Sequence, residues 1–314
     1  MTTHHREDDP QPFRDLIARH YPDLPIERIE PLPHIGWGGD SYAWLANDAL
    51  VFRFPRSLDI ARKLHVETLL LPRLIAHLPL SIPDFRYIAA DPATGTQLFV
   101  GYPIIQGEPM TPDLLDVLGM PDDERADLPA ALGGFLAGLH NVPIEQARVA
   151  GVPELREPER TRQLYDRARD TVYPLLSRAM RAWTDHLFDD YLANPGLWAF
   201  EPALTHGDLS ADHILFDRAA RKIAGIIDFG DMTLYDPVAD FVGLRGYGES
   251  FIATALAAYA RPLSHTATER LRFYQRRTPF IALTWGAEHG DEAAVSAGMS
   301  ALRAVIAGDA GPRA

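Results

Sequence analysis

The chain has 314 residues, of which 46% are hydrophobic and 23% charged, a composition typical of a folded globular protein long enough for two domains or two lobes. It has no cysteine, which excludes disulfides, thiolate metal sites and a cysteine nucleophile. The net charge of −13 argues against a nucleic-acid partner, whose phosphates Lys and Arg would have to neutralise, and it favours a cationic ligand.

Hydropathy and the amino terminus predict a cytoplasmic protein without a membrane partner. No apolar run approaches the ~20 residues that a membrane span needs. Residues 1–11 are polar and lack the apolar stretch of an export signal, so we expect a short disordered tail there.

The first third of the chain predicts strands around one helix. Four β-prone runs cover residues 41–46, 50–54, 85–89 and 97–105. Asn47-Asp48 joins the first two runs and is typical of a tight hairpin, and residues 91–95 form a second turn. Apolar residues recur at helical spacing from Asp59 to Leu71, and Pro72 must end or kink that helix.

After Gly107 the pattern changes to helix. Amphipathic segments cover residues 128–140, 161–181, 182–193, 250–260, 269–284 and 293–307. Two short β-prone runs, 214–216 and 223–227, lie among them and are separated by the polar turn 217–222. We therefore expect an α+β protein with a small β-rich lobe, residues 1–106, and a larger helical lobe, residues 107–314, with the ligand in the cleft between them.

Two acidic clusters carry the chemical signal. Asp208 lies in the loop HGDLSADHIL, residues 206–215, where a carboxylate is placed to accept the proton of a substrate hydroxyl. Asp228 lies in IIDFGD, residues 226–231, at the end of an apolar strand, where a carboxylate is costly unless it is paired or metal-bound. His213, five residues after Asp208, offers a ring nitrogen to a metal or holds its water shell, and His206 braces the loop through backbone hydrogen bonds. This spacing suits metal-assisted phosphoryl transfer.

A second signal lies in the β-rich part of the chain. Three glycines, Gly36, Gly38 and Gly39, precede Ser41 and the first hairpin, where backbone N–H groups can approach phosphate oxygens. Arg53 lies among apolar neighbours in the second strand and needs an anionic partner. Glu67 of the following helix and the phosphates of a nucleotide are the two candidates.

Together these motifs resemble the aminoglycoside phosphotransferase family of protein-kinase-like small-molecule kinases, from about residue 29 to about residue 274. HGDLSADHIL resembles the family's catalytic loop, IIDFGD its metal-binding segment, and YDPVADF the segment that follows them. The sequence is most similar to the branch that phosphorylates the 2''-hydroxyl of aminoglycosides. The resemblance implies a two-lobed protein-kinase-like fold and the transfer of the γ-phosphate of ATP or GTP, with Mg²⁺, to a hydroxyl of an aminoglycoside-like substrate.

The resemblance also implies roles for individual residues. Asp208 would be catalytic, and His213 and Asp228 would bind the metal. The nucleotide would contact the glycine segment, the Arg53–Glu67 pair and the hinge between the lobes, and the residues implied are Gly36, Gly38, Gly39, Ser41, Arg53, Glu67, Val100 and Tyr102.

The acceptor is less well specified. His213 stands where most of the family has Asn, Arg53 stands where Lys is commoner, and residues 243–249 hold one acid and one base where the 2''-branch is acidic. Aromatic faces and carboxylates for an amino sugar are expected from five residues: Asp231, Glu249, Tyr274, Trp285 and Glu288. A macrolide or metabolite kinase, a pseudokinase without turnover and a metal-dependent hydrolase are the alternatives.

Overall fold

The computed structural model describes residues 9–32 and 40–310, without the side chains at 122, 123 and 310. Most of the predicted disordered tail and the three glycines Gly36, Gly38 and Gly39 lie outside the described residues. A β-rich region is followed by a larger helical region, which confirms the predicted α+β class.

A five-stranded antiparallel sheet with the order β1-β2-β3-β5-β4 dominates the first third of the chain. Its strands are β1 Ile29–Pro31, β2 Ser41–Ala46, β3 Leu50–Pro55, β4 Tyr87–Ala90 and β5 Gln97–Pro103. The predicted hairpin is confirmed, and Asn47 and Asp48 have φ values of 52° and 54°, which Asn and Asp adopt more readily than other residues. The fourth strand begins at Tyr87 instead of residue 85, and Phe85 is buried in the core before the strand starts.

Helix α2, Leu58–Leu74, crosses one face of this sheet. Ser57 caps it by accepting a hydrogen bond from the Ile60 N–H, and Leu64, Glu67 and Leu71 face inward. Pro72 lies in the last turn, and the helix ends at Leu74, three residues after the predicted Leu71. The other face of the sheet is covered by α1, Gln11–His20, whose Phe13 ring contacts Tyr42, Trp44 and Phe54.

The rest of the described chain is mainly helical. Its helices are α3 Pro112–Leu118, α4 Asp122–His140, α5 Ile144–Ala150, α6 Glu159–Arg167, α7 Arg178–Leu192, α8 Glu249–Ala258, α9 Ala267–His289 and α10 Glu292–Ala310. The single helix predicted over residues 161–181 is wrong, because α6 ends at Arg167. A π-helical turn, Ala168–Val172, and a 3-10 turn, Tyr173–Leu175, follow it. Helix α7 then starts after the Ser177 cap. Pro174 lies in the 3-10 turn and lacks the backbone N–H that a continuous helix requires. None of the described helices combines the length and apolarity that a membrane crossing requires.

Two small sheets bring the acidic clusters together. One contains β6 Glu108–Pro109 and the hairpin β8 Ile214–Asp217 and β9 Lys222–Ile226, which confirms the two predicted strands. The other pairs β7 Ala203–Thr205 with β10 Thr233–Tyr235. The segment after β7 and the segment after β9 therefore leave their sheets close to each other, and these segments carry Asp208 and Asp228.

The contact between α4 and α8 gives a test of the packing. A Cβ at Gly133 would lie 2.2 Å from the Ala255 carbonyl oxygen, whereas a Cβ at Gly134 would meet nothing within 4 Å. Gly133→Ala should therefore lower the free energy of unfolding by about 1–3 kcal/mol through overpacking. Gly134→Ala should raise it by up to about 1 kcal/mol through helix propensity. Urea denaturation of both variants measures the difference, and equal effects would contradict this helix contact.

Candidate active site

A cavity of about 250 Å³ lies between the five-stranded sheet and the β8–β9 hairpin. Its apolar lining comes from both sides and comprises Leu32, Ala43, Val51, Ile104, Ile105, Leu215 and Ile227. The titratable or hydroxyl-bearing residues in its lining are Asp40, Ser41, Arg53, Tyr102, Asp212, His213 and Asp228. Such a cavity offers apolar side chains beside a charged region, which suits a ligand with an apolar part and an ionic part.

Arg53 is the cation that joins the two walls of the cavity. Its side chain is 11% exposed, and its guanidinium contacts Glu67 Oε2 at 2.8 Å and Asp228 Oδ1 at 3.3 Å. Although burial disfavours the charged form, the carboxylates of Glu67 and Asp228 raise the pKa of Arg53, which therefore stays protonated. The predicted pairing of Arg53 with Glu67 is confirmed.

Glu67 is almost completely enclosed. Burial raises the pKa of Glu67 to about 7, and the Arg53 guanidinium opposes this shift. Its second oxygen, Oε1, has no hydrogen-bond partner among the described residues. The ion pair with Arg53 is thus the interaction that compensates the burial of this carboxyl group.

Asp228 is held in an unusual backbone conformation. Its φ is 65°, in the left-handed region that residues other than glycine seldom occupy and that often marks a functional site. Burial acts to raise the pKa of Asp228, but Arg53, His213 and His206 outweigh it and lower the pKa below the ordinary value. This carboxylate is therefore ionised and available as an oxygen ligand.

Asp208 lies at the tip of the loop after β7. The preceding Gly207 has a φ of 84°, and a Cβ there would lie 2.0 Å from the Asp231 carbonyl oxygen, so only glycine fits. Burial raises the pKa of Asp208 to about 6; His213 lowers it, and the carboxylates of Asp231 and Asp228 raise it further. The pKa values of Asp208 and Asp228 are thus shifted in opposite directions, which is typical of two carboxylates with different roles.

His213 lies between these two carboxylates. Its Nδ1 donates to the Asp208 carbonyl oxygen at 2.7 Å, because a carbonyl can only accept. In the neutral ring Nε2 then carries a lone pair, and Nε2 is 3.5 Å from Asp228 Oδ2. A cation can bind to both His213 Nε2 and Asp228 Oδ2, because these two electron-pair donors face each other at this distance.

A buried network fixes the loop that carries Asp208. Asp240 Oδ2 and Oδ1 accept the backbone N–H groups of His206 and Gly207 at 2.7 Å and 3.0 Å, and His140 Nε2 donates to Oδ2 at 3.0 Å. His206 braces the loop as expected, since its Nε2 donates to the Ile227 carbonyl beside Asp228. The role of His140 was not predicted, because a single histidine at the end of a helix carries no signal by itself.

Asp228 and His213 fit a divalent ion that takes most of its ligands from substrate and water. Asp228 and His213 supply two donors, and the described residues hold no group of three or more metal-binding side chains. Mg²⁺ commonly uses one or two carboxylates and completes its shell with substrate phosphates and water.

Some of the predicted nucleotide-binding residues line the cavity and others in the described chain do not. Ser41 and Tyr102 line the cavity beside Arg53, and the Ser41 hydroxyl is buried without a partner among the described residues. Val100 does not line it: its side chain is completely buried in the core, which corrects that prediction.

The predicted acceptor residues do not form one wall. None of the five lines the cavity, as far as the structure describes it. Asp231 pairs with Lys63 at 2.7 Å, and Glu249 is exposed at the start of α8. Trp285 is partly exposed and stacks on His289.

One of these predictions is corrected. Tyr274 is 2% exposed and donates to Asp236, so its ring belongs to the core and is not offered to a ligand. The role of Glu288 stays a prediction: its carboxylate accepts two hydrogen bonds from the Arg167 guanidinium.

Comparisons with known proteins find relatives in both sequence and structure. A family model described as the phosphotransferase enzyme family matches residues 31–274. The GDP complex of wild-type aminoglycoside 2'-phosphotransferase-IIIa superposes with a TM-score of 0.86 at 32% identity, over 96% of this chain and 99% of that one. The complex of APH(2")-IIia with GDP and kanamycin gives the same TM-score, identity and coverage. The uncharacterized protein YcbJ of Bacillus subtilis (strain 168) is 28% identical over 215 residues, 67% of each chain.

Asp240→Asn tests the network beneath the loop. The amide cannot accept from both backbone N–H groups and from His140, so the free energy of unfolding at pH 7 should fall by about 2–4 kcal/mol. Burial raises the pKa of Asp240, but His140 and the Gly207 N–H lower it below the ordinary value of about 3.9. The stability contribution of a carboxyl with a lowered pKa is complete above its unfolded pKa and is lost as the pH falls through the folded pKa.

The difference in the free energy of unfolding between wild type and Asp240→Asn should therefore become smaller from pH 7 to pH 3, as measured by urea denaturation. Asp48→Asn, at an exposed turn position, is the control and should change the free energy of unfolding by less than about 0.5 kcal/mol. A difference that does not depend on pH would contradict an ionised Asp240.

Proposed function

Because this chain belongs to the phosphotransferase enzyme family and is a kinase that acts on hydroxyl groups, we propose that it transfers the γ-phosphate of a purine nucleoside triphosphate to a hydroxylated, cationic small molecule. The observation that carries the proposal is the arrangement of Asp208 and Asp228 on either side of His213, at 3.6 Å and 3.5 Å from its two ring nitrogens. An ionised oxygen ligand would then line the charged end of the cavity, and a proton acceptor would lie on the other side of His213.

Asp208 would act on the acceptor. Its carboxylate accepts the hydroxyl proton as the acceptor oxygen forms a bond to the γ-phosphorus, and the bond from that phosphorus to the β–γ bridging oxygen breaks. The products are a phosphate ester and a nucleoside diphosphate. The raised pKa of Asp208, about 6, brings this carboxylate closer to the pH at which a general base is effective.

Asp228 and His213 would hold the Mg²⁺, which supplies neutralisation of the phosphate charge when it is bound. Arg53, already oriented by Glu67, would contact phosphate oxygens through its planar guanidinium. Ser41, whose buried hydroxyl has no partner among the described residues, would donate to a phosphate oxygen. The apolar lining beside Tyr102 would receive the purine, and the segment after β5 would supply its backbone hydrogen bonds.

GTP is the nucleotide we favour, with ATP as the alternative. The two solved structures described above, each 32% identical to this chain, contain GDP. This preference rests on the similarity to those relatives.

An aminoglycoside-like acceptor is favoured by charge. The chain carries a net charge of −13, and one relative of 32% identity was solved with kanamycin. A macrolide or another metabolite is the alternative. Among the predicted acceptor residues, Asp231 is the one closest to the catalytic loop, since its backbone carbonyl faces Gly207. The division into lobes at residues 1–106 and 107–314 and a cytoplasmic location complete the proposal.

Asp208→Asn should reduce turnover by about 10²–10⁴-fold, because the amide cannot accept the hydroxyl proton. Nucleotide affinity should stay within about twofold of wild type, since Asp208 does not line the cavity. Phosphate transfer to a panel of aminoglycosides and macrolides, with nucleotide affinity measured in parallel, checks both. Asp189→Asn, on the exposed face of α7, is the matched control, and wild-type turnover in Asp208→Asn would end this assignment.

Mg²⁺-dependent nucleotide binding should depend on Asp228. GTP with Mg²⁺ should raise the thermal midpoint of the wild type, corresponding to about 2.7 kcal/mol of stabilisation at 100 times Kd. ATP should raise it less. In Asp228→Asn the part of the shift that requires Mg²⁺ should disappear, because one of two protein ligands has lost its charge. A shift that is the same with a chelator present would contradict the metal assignment.

A further inference from the structure

The charged end of the cavity is rich in carboxylates and poor in cations. Two side chains with a full positive charge contact this cluster in the part of the chain that the structure describes, Arg53 and Lys63. The carboxylates that they contact are Asp40, Glu67, Asp228 and Asp231. A nucleoside triphosphate that enters here needs cations that face its most charged end.

Arg53 has little freedom to follow the terminal phosphate. Its guanidinium is enclosed and holds Glu67 and Asp228 at once. Its fixed position suits it to a phosphate that lies over the sheet. A second cation is needed nearer to Asp208, where the γ-phosphorus must lie during transfer.

Lys63 is in that position. It lies one helical turn before Glu67 on α2, so both side chains project from the same face of the helix. Its Nζ is 2.7 Å from Asp231 Oδ1 and 3.3 Å from Asp40 Oδ2. Asp231 packs through its backbone against Gly207, directly before Asp208, and Asp40 lines the cavity. Lys63 thus spans the gap between the cavity and the catalytic loop.

The two ion pairs of Lys63 are open to exchange. The Lys63 side chain is 39% exposed and its partners are 47% and 52% exposed, so water and ions reach all three groups. Exposed pairs of this kind are weak and readily replaced. Burial alone would lower the pKa of Lys63, but Asp231 and Asp40 raise it, so the ammonium stays charged. A flexible stem and three donors let the ammonium turn from one anion to another.

We propose that Lys63 exchanges the carboxylates of Asp40 and Asp231 for the terminal phosphate of the bound nucleotide, and that it is a second phosphate-contacting cation beside Arg53. The inference rests on the proposed function, because it needs a nucleotide in this cavity. It identifies the residue that recognises the γ-phosphate.

The test compares tri- and diphosphate binding in the absence of any acceptor. Isothermal titration with Mg²⁺ and either GDP or a hydrolysis-resistant GTP analogue is run on wild type and Lys63→Met. The variant should bind the triphosphate analogue about tenfold more weakly, because one charge-assisted hydrogen bond is lost. Its affinity for GDP should change by less than about twofold, and Lys63→Arg should recover most of the loss.

Arg62→Met is the matched control. Arg62 precedes Lys63 on the same helix, is 75% exposed and pairs with Asp59 within the helix. The Arg62→Met variant should bind both nucleotides with the affinity of the wild type. An equal loss of GDP and triphosphate affinity in Lys63→Met, or no loss, would overturn the proposal.

The double variant Lys63→Met with Asp231→Asn excludes an indirect effect. If Lys63 acts only by masking Asp231, the preferential loss of triphosphate affinity should vanish when Asp231 is neutralised; a direct phosphate contact predicts that the loss persists. Failure of the wild type to bind either nucleotide would overturn the proposed function itself, whereas normal binding by wild type and Lys63→Met alike would overturn this inference alone.

Discussion

The row of charges from Glu67 through Arg53 to Asp228 is the interaction on which the site depends. Glu67 is buried in α2, Arg53 lies in a strand of the sheet and Asp228 follows the β8–β9 hairpin, so one guanidinium connects three separate elements. Removing one partner would leave a buried charge uncompensated, at a cost of about 3–5 kcal/mol. On the other side, Asp240 holds the backbone of His206 and Gly207 and thereby fixes Asp208. The relative position of Asp208 and Asp228 is thus set by two buried carboxyl groups, those of Glu67 and Asp240.

Much of the candidate site could be predicted from the sequence, because its elements are local and strongly patterned. The hairpin at Asn47-Asp48, the inward face of α2 and the strands that precede and follow Asp217 are short-range features of turn chemistry and hydrophobic spacing. The pairing of Arg53 with Glu67 followed from charge alone, since an arginine among phenylalanines needs an anion. Asp208, His213 and Asp228 are brought together as their spacing along the chain indicates.

The rest depends on packing between distant segments, which spacing does not encode. Tyr274 carries the same sequence signal as an aromatic residue in a binding wall, yet its hydroxyl is used to satisfy the buried Asp236. Glu288 is a surface acid in the sequence and an ion-pair partner of Arg167 in the fold. His140 and Asp240 are 100 residues apart, and their hydrogen bond exists only because α4 passes beneath the loop. The helix is interrupted near Pro174 because proline has no backbone N–H, but the strong amphipathic pattern of residues 161–181 predicts one continuous helix.

We propose that Asp228 and His213 hold one divalent ion against the terminal phosphate of a nucleotide, with Asp208 beside it. A crystal structure of the full chain with Mg²⁺ and a hydrolysis-resistant GTP analogue is the decisive experiment. We expect electron density for an ion within coordination distance of the Asp228 carboxylate and of at least one phosphate oxygen, with the γ-phosphate facing Asp208. A nucleotide bound outside the cavity, or an ion that contacts neither Asp228 nor His213, would contradict it.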